Sequence, residues 1–364
     1  FIADLTSPVV ALERLENGSL LKGKLPEGCY YCGLGAKVVL LVTGKCRRRC
    51  FYCPLSIAKR GRDIVYADEL RVKEDEDILY EARMIDALGA GITGGDPLEV
   101  ADRTCGYIEL LKDAFGEGFH IHLYTSRTER SILQQVEDSG LDEIRFHPPF
   151  RTWKRIDRTP YAHAFNQVSK GVMDLGVEVP VLPDQLGIMS TFIDKLDNLG
   201  VEFLNIDELE FSEGNWMRLR GRGYDTKDDV TSAVSGCDEL AEKLLSKDVG
   251  MSLHYCTSSF KDGVQLRNRI MRRAKNIAGD WEIITPDGTL LKGIVEGKKL
   301  EEIREDLIIR FDIPERFLNL DYEKRRLEVA PWILEEIASE VDCPCFLVEE
   351  YPTADRLEVE RDPL

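Results

Sequence analysis

"AKVVLLVTGKCRRRCFYCPLS", residues 36–56, decides how this 364-residue chain is read. Its first nine residues form a near-continuous apolar, β-branched run, the pattern of a strand buried on both faces. Three cysteines then fall inside eight positions, Cys46, Cys50 and Cys53, separated by three and then two residues. The flanking "KCRRRCFYC" is too polar for inert core thiols. A structural zinc site takes four ligands, often as paired C-x2-C knuckles, and a C-x3-C step is a poor start for one. A four-iron cluster bound by three thiolates keeps one iron without a protein ligand, the open position a catalytic centre needs.

Working outward, strand and helix patterns alternate. "EDEDILYEARMIDALG" reads as an amphipathic helix, "AGITGG" as a strand, "DRTCGYIELLKDAFG" as a helix and "FHIHLYT" as a strand. "LDEIRFHPP", "VEVPVLP" and "VEFLNIDELEFSE" continue the series with helices between them, and "MSLHYC" offers a seventh strand. Gly89, Gly140, Gly176 and Gly200 are each expected to close a helix as a left-handed cap. Repeated units of this length imply parallel strands with helical crossovers, in a doubly wound sheet or a full or partial barrel. In both, ligands gather at the C-terminal strand ends, where the three-cysteine loop opens. After Cys256 the pattern changes, and "WEIITPDGTLLKGIVEG" reads as a hairpin turning at Asp287–Gly288. The expected division is an N-terminal segment (1–35), an α/β unit (36–278) and a small C-terminal α+β accessory domain (279–364).

Composition sets the class. The chain is 43% hydrophobic and 31% charged, ordinary for a soluble globular protein. No apolar run is long enough to cross a membrane. "FIADLTSPVV" lacks a basic n-region and reads as no secretory signal. A net charge of −18 argues against a nucleic-acid backbone partner, and from Trp281 onward acids outnumber bases 22 to 11. Five of the ten cysteines cluster between Cys29 and Cys53. Clustered thiols without a secretion signal point to a reducing, cytoplasmic compartment and to metal binding.

The three-cysteine loop and "GITGGDP" at the end of the second strand together resemble the radical S-adenosylmethionine enzymes, most closely the pyruvate formate-lyase activating enzymes and an archaeal branch related to them. The resemblance covers roughly Ala36 to Cys256. It implies a partial (β/α)6 TIM-like barrel, with room for the seventh strand. It also implies a 4Fe-4S cluster on Cys46, Cys50 and Cys53 whose open iron is chelated by S-adenosylmethionine. Reductive cleavage then gives a 5′-deoxyadenosyl radical that abstracts hydrogen from a substrate. By the same resemblance Tyr52 lies by the adenine, and Gly94, Gly95 and Asp96 meet the methionyl amino group. Asp96 stands where the family has glutamate, one methylene longer. Position at further strand ends adds Thr125, Ser126 and His147 as cofactor contacts. An acidic electron donor, ferredoxin or flavodoxin, is the expected partner, with Arg47, Arg48 and Arg49 as its docking surface. The substrate is left open between a protein glycine, a tRNA base and a metabolite.

Other constellations are weaker. Cys29 and Cys32 ("CYYC") with Cys256 form a candidate second iron–sulfur or zinc site, with His254 or an external ligand as the fourth. Cys105 and Cys237 read as packing residues. "NIDELEFSEGN" crowds Glu208, Glu210, Glu213 and Asn215 at a strand end, a candidate substrate surface. Were Glu208 and Glu210 to face a barrel interior, alternation would turn Asp207 outward. "RNRIMRRAK" puts Arg269, Arg272 and Arg273 on one helical face. The rival function class is a non-catalytic, zinc-stabilised binding protein.

Overall fold

A computed structural model describes residues 11–364. The opening stretch searched for a leader lies outside the described residues. Two compact units emerge, one running to Ala82 and resuming over Ala87–Gln265, the other made of Arg83–Asp86 and Leu266–Leu364.

The first unit is built on parallel strands. In chain order they are β1 (Lys37–Leu41), β2 (Gly89–Thr93), β3 (His120–Thr125), β4 (Glu143–Phe146), β5 (Asp174–Pro180), β6 (Phe203–Asp207) and β7 (Ser252–Cys256). Each lies beside its predecessor in parallel register. "MSLHYC" therefore does supply a seventh parallel strand. Short antiparallel strands extend both edges, giving eleven in all among the described residues. Helices α1 (Asp75–Met84), α2 (Ala101–Phe115), α3 (Arg130–Asp138), α4 (Pro160–Val168), α5 (Leu186–Asn198) and α6 (Cys237–Leu245) form the crossovers.

Alternation along the strands separates two faces. One face carries Val38, Leu40, Ile92, Ile121, Leu123, Ile144, Phe146, Val177, Leu204, Ile206 and Leu253, all buried. At about 25 cal/mol per Å² of apolar area, this layer is the main stabilising term of the unit. The other face is polar: Lys37, His120, His122, Tyr124, Glu143, Arg145, Glu178, Asn205, Asp207, His254 and Cys256 follow one another across the register. A short N-terminal helix, Glu27–Gly33, lies over it, and its Gly28 N–H donates to Glu143 Oε2 at 3.2 Å.

Two glycines depart from the expectation. Gly140 and Gly200 adopt the left-handed conformation after helices, as expected, but Gly89 and Gly176 lie inside β2 and β5. A side chain at Gly176 would collide with the Phe203 ring, and one at Gly89 with the His120 carbonyl. Both glycines make room for close packing on the polar face. Asp207 also departs: it lies on that polar face, in register with Cys256, because β6 ends at Asp207 and Glu208 to Glu213 follow outside the strand. Cys105 and Cys237 are buried in α2 and α6.

In the second unit an antiparallel sheet centres on Leu290–Val295, paired with Arg326–Val329 and Cys345–Glu350. The hairpin at Asp287–Gly288 is present, with Gly288 in the left-handed region. Leu307, Leu327, Val329 and Leu334 build an apolar core on one face. On the helix carrying "RNRIMRRAK", Arg272 donates to the Ile85 carbonyl at 2.6 Å and Arg273 to the Pro352 carbonyl at 2.5 Å. These arginines tie the unit together rather than presenting a free basic face. Among the described residues no helix is long and apolar enough to cross a membrane.

Candidate functional site

The three-cysteine loop leaves β1 at Gly44 and is closed at its neck. Gly44 N–H donates to the Arg62 carbonyl at 2.8 Å, and Gly61 N–H to the Gly44 carbonyl at 2.7 Å. Gly94 and Gly95 abut its first residues. Gly95 N–H donates to the Thr43 carbonyl at 2.7 Å and Asp96 N–H to the Lys45 carbonyl at 2.8 Å. A Cβ on either glycine would strike those carbonyls, and Gly94 has φ +154°. The glycine pair is thus what lets two backbones meet beside Cys46.

The far side of the loop is braced from the segment after β6. Asn215 Nδ2 donates to the Tyr52 carbonyl at 3.0 Å, and Arg218 Nη1 to the Cys50 carbonyl at 3.0 Å. Arg60 Nη2 reaches the Cys53 carbonyl at 3.2 Å and the Gly214 carbonyl at 3.1 Å. Three loop carbonyls, those of Cys50, Tyr52 and Cys53, are each held by a long-range or loop-spanning donor. Removing one would leave a part-buried carbonyl unmet, at about 1–3 kcal/mol.

All three loop thiols are free; Cys46 is exposed, and Cys50 and Cys53 are half-buried. Desolvation pushes the Cys46 thiol up to about 11 and raises that of Cys50. They stand protonated near neutrality, so a metal must displace their protons on binding. Among the described residues no three His, Cys, Asp or Glu side chains surround one point closely enough for a single ion. That arrangement gives no support to a mononuclear zinc site. A cubane's ligand sulfurs stand farther apart, so three free thiols on a braced loop suit it in donor chemistry and number.

Asp96, Thr125 and Ser126 converge. The buried Asp96 carboxylate accepts from Thr125 Oγ1 at 2.8 Å, Ser126 N at 2.9 Å and Ser126 Oγ at 2.7 Å. It also accepts from Leu98 N at 3.2 Å, which caps the following turn. These four donors match the four lone-pair directions of a carboxylate. Asp96 therefore clamps the ends of β2 and β3 together. Arg48, from between Cys46 and Cys50, donates to Ser126 Oγ at 3.2 Å and to its carbonyl at 3.1 Å. Tyr161 OH reaches the same carbonyl at 2.7 Å. His147 is in contact with Tyr52, ring centroids 5.6 Å apart, and burial lowers its pKa, keeping the ring neutral.

The polar face leads away from this point. Arg145 pairs with Glu143 and, at 2.8 Å, with Glu178. Asn205 Nδ2 donates to Glu178 at 2.9 Å. Burial and the neighbouring Glu178 push the Asp207 carboxyl up to about 7, with Lys261 3.5 Å away opposing the shift. His254 is buried, neither ring nitrogen has a hydrogen-bond partner among the described residues, and burial pushes its pKa down to about 4.

Cys29 and Cys256 also lie on this face. Cys29 Sγ accepts from Arg145 Nη2 at 3.4 Å and Asn205 Nδ2 at 3.2 Å, and burial pushes its thiol up to about 12. Burial raises Cys32 and Cys256 as well. Among the candidate substrate residues, Glu208 is buried, pairing with Lys227 and accepting from Ser258 N at 2.8 Å. Glu210 pairs with Lys261 at 3.1 Å. Glu213 accepts from Ile57 N at 3.4 Å, and Asn215 is the brace on Tyr52. Arg48, Arg60, Arg218, Glu178, Asp207 and His254 stand in this constellation without having been singled out as site residues, save Arg48 as a docking residue and His254 as a fourth ligand. For Glu178 and His254, the signal was a polar residue at alternate positions of otherwise apolar strands.

Residues 288–364 match a family model described as a domain of unknown function (DUF8061). A curated protein of Methanocaldococcus jannaschii is 38% identical over 360 residues, covering 94% of this chain and 93% of its own length. Its name assigns it provisionally to the glycyl-radical enzyme activating enzymes. Among solved structures, coproporphyrinogen III oxidase of Escherichia coli, titled a radical SAM enzyme, aligns with a TM-score of 0.36 at 10% identity. That alignment covers 61% of this chain and 55% of the other.

Proposed function

The chain belongs to the radical S-adenosylmethionine superfamily and is an enzyme of it, and we propose that it installs a glycyl radical in a partner protein. The name of the archaeal relative supports the choice of substrate. The braced loop supports the chemistry: three free thiols whose backbone carbonyls at Cys50, Tyr52 and Cys53 are fixed by Arg218, Asn215 and Arg60. In this reading Cys46, Cys50 and Cys53 hold a 4Fe-4S cluster, and the polar face of the parallel sheet lines an open, barrel-like chamber.

When bound, the cluster and S-adenosylmethionine supply one-electron cleavage to a 5′-deoxyadenosyl radical, which takes a hydrogen atom from the substrate. The chain's own residues do the rest. Cys46, Cys50 and Cys53 give up thiol protons to become ligands. Gly94 and Gly95 keep the loop close to β2, leaving backbone rather than side chain at the cofactor's edge. Asp96 orients Thr125 and Ser126, and Arg48 brings a cation to the same point for the methionyl carboxylate. Tyr52 and neutral His147 present ring faces and edges to an adenine. Asp207, with a proton available near neutrality, and unpartnered His254 are the groups left to meet the substrate backbone.

This reading proceeds with one cluster, on Cys46, Cys50 and Cys53; the Cys29 sulfur accepts hydrogen bonds from Arg145 and Asn205. Anaerobic reconstitution should load about four irons per chain and give 5′-deoxyadenosine with dithionite. Replacing Cys46, Cys50 and Cys53 by alanine should abolish both. Deuterium carried from a glycine-labelled partner protein into deoxyadenosine supports the substrate; deuterium arriving only from a nucleic acid or small metabolite refutes it.

A further inference from the structure

The stretch joining β4 to α4, "PPFRTWKRIDRTP" (148–160), carries four cations and one acid. Phe150, Trp153 and Ile156 recur every third residue, matching the three residues per turn of the 3₁₀ segment Phe150–Arg158. That spacing buries Trp153 and Ile156. Trp153 stacks on Phe192 with centroids 5.0 Å apart, and its indole N–H donates to the Pro148 carbonyl at 2.8 Å. The apolar spacing leaves Arg151, Lys154, Arg155 and Arg158 exposed. Among the described residues no carboxylate pairs with Arg151, Lys154 or Arg155. Asp157, the single acid, is held by Lys195 and lies 3.7 Å from Arg158. Lys154, Arg155, Arg158, Lys195 and Arg48 line one cavity of about 680 Å³.

Three cations without a carboxylate partner among the described residues, Arg151, Lys154 and Arg155, thus lie together on a chain of net charge −18. That place adjoins the thiol loop twice. Phe150 meets Phe51, between Cys50 and Cys53, edge-on with centroids 6.2 Å apart. Arg48, between Cys46 and Cys50, belongs to the cavity wall itself. Charge of this kind steers a partner of opposite sign and fixes its register. An electron must enter the loop from outside, and its transfer rate falls steeply with distance, so the donor has to sit against the loop.

We propose that the 148–160 segment, with Lys195, is the docking surface for a small acidic electron-transfer protein. The proposal rests on the reading of the thiol loop as a cluster site. One electron passes from the donor, its flavin going from hydroquinone to semiquinone, to the four-iron centre; no covalent bond forms or breaks in that step.

The test uses a triple reversal, Lys154→Glu, Arg155→Glu and Arg158→Glu, with Lys298→Glu and Lys299→Glu in the other unit as a charge control. Oxidised flavodoxin is titrated against each, with and without the cluster, over a range of salt. The wild-type Kd should rise with ionic strength. The triple reversal should weaken binding by about tenfold or more, the control far less. The ratio of deoxyadenosine released with photoreduced flavodoxin to that released with dithionite should fall by a similar factor. Single reversals at Lys154 and Arg158 should each show a smaller loss, which covers misfolding of the triple. Binding no weaker than the control's overturns the proposal. So does an equal loss with both reductants, which would make this face a substrate or cofactor surface. If wild-type protein releases no deoxyadenosine with either reductant, the enzyme reading fails, and the Kd comparison still decides the docking surface.

Discussion

Two buried charge clusters, one in each unit, differ in how fully their charged and polar groups are paired. In the C-terminal sheet, Lys292 meets Glu282, Glu328 and Glu350, while Arg326 and Arg356 each bridge Glu328 and Glu350. Nearly every charge has two or more partners. On the polar face of the parallel sheet, Lys37 bonds to two histidine rings, His120 and His122, and His254 has no hydrogen-bond partner among the described residues. One carboxyl there, Asp207, holds its proton up to about pH 7. A saturated network specifies a fold; an unsaturated one keeps polar atoms available for a ligand. Under the proposed function the first cluster holds the fold and the second faces the substrate.

The largest effect should come from breaking the saturated cluster. Glu350→Ala removes one carboxylate partner from each of Lys292, Lys324, Arg326 and Arg356 at once and should destabilise the C-terminal unit by about 3 kcal/mol. Chemical denaturation of the full chain, followed by the fluorescence of Trp281 and Trp332, would measure it. A loss below about 1 kcal/mol would mean that the network is not the structural element the contrast requires.

Acid should separate the clusters next. His120 and His254 are held down to about 4, and His122 well below its ordinary value, by burial. The unfolded chain then binds more protons below pH 6.5, so the parallel sheet should lose stability as pH falls from about 6.5 toward 4. Glu350 is held near 2 by Lys292, Lys324 and Arg326 against its own burial. Its contribution is fully present above about pH 4.5 and is lost only as pH falls toward 2. Hydrogen exchange at pH 5 should show opening of β3 and β7 while Leu290–Val295 stays protected; the reverse order would break the comparison.

Gly176→Ala tests packing on the polar face. The new methyl meets the Phe203 ring, and overpacking of this kind costs about 1–3 kcal/mol. A midpoint shift in thermal unfolding reports it, and an unshifted midpoint would show that the ring moves freely.

The smallest stability change is expected at a position that the proposed function sets against the substrate. His254→Leu replaces an unpartnered buried ring by an apolar side chain, so stability should change by less than about 1 kcal/mol. Turnover should nevertheless fall, with KM and kcat measured separately; loss of stability without loss of turnover would reverse the assignment.

Much of the fold was legible in the sequence because its signals are local. A β-branched run, a C-x3-C-x2-C loop and helix-length spacers read directly as a parallel sheet with a thiol loop at its C-terminal edge. The polar face was not legible. "HIHLYT" and "EIRF" alternate polar and apolar residues in the way a solvated face would, and only register reveals that His122, Glu143, Arg145 and Glu178 face one another. Gly89 and Gly176 stand where a helix cap would, yet they leave room for neighbours that are distant in sequence. Asp207 depends on where its strand stops, which Glu208 does not announce. The clamp of Asp96 on Thr125 and Ser126, and the bracing of Tyr52 by Asn215, join residues roughly 30 and more than 150 positions apart. The 148–160 segment hid its three-residue apolar spacing inside what reads as a connecting loop.

The most direct measurement is low-temperature electron paramagnetic resonance of the reconstituted, dithionite-reduced protein, before and after adding S-adenosylmethionine. The expected outcome is a spin-half cluster signal whose g-values change on addition and which is absent from the Cys50→Ala variant. A signal indifferent to S-adenosylmethionine, or one that survives loss of Cys50, would contradict a cluster with an open iron on this loop.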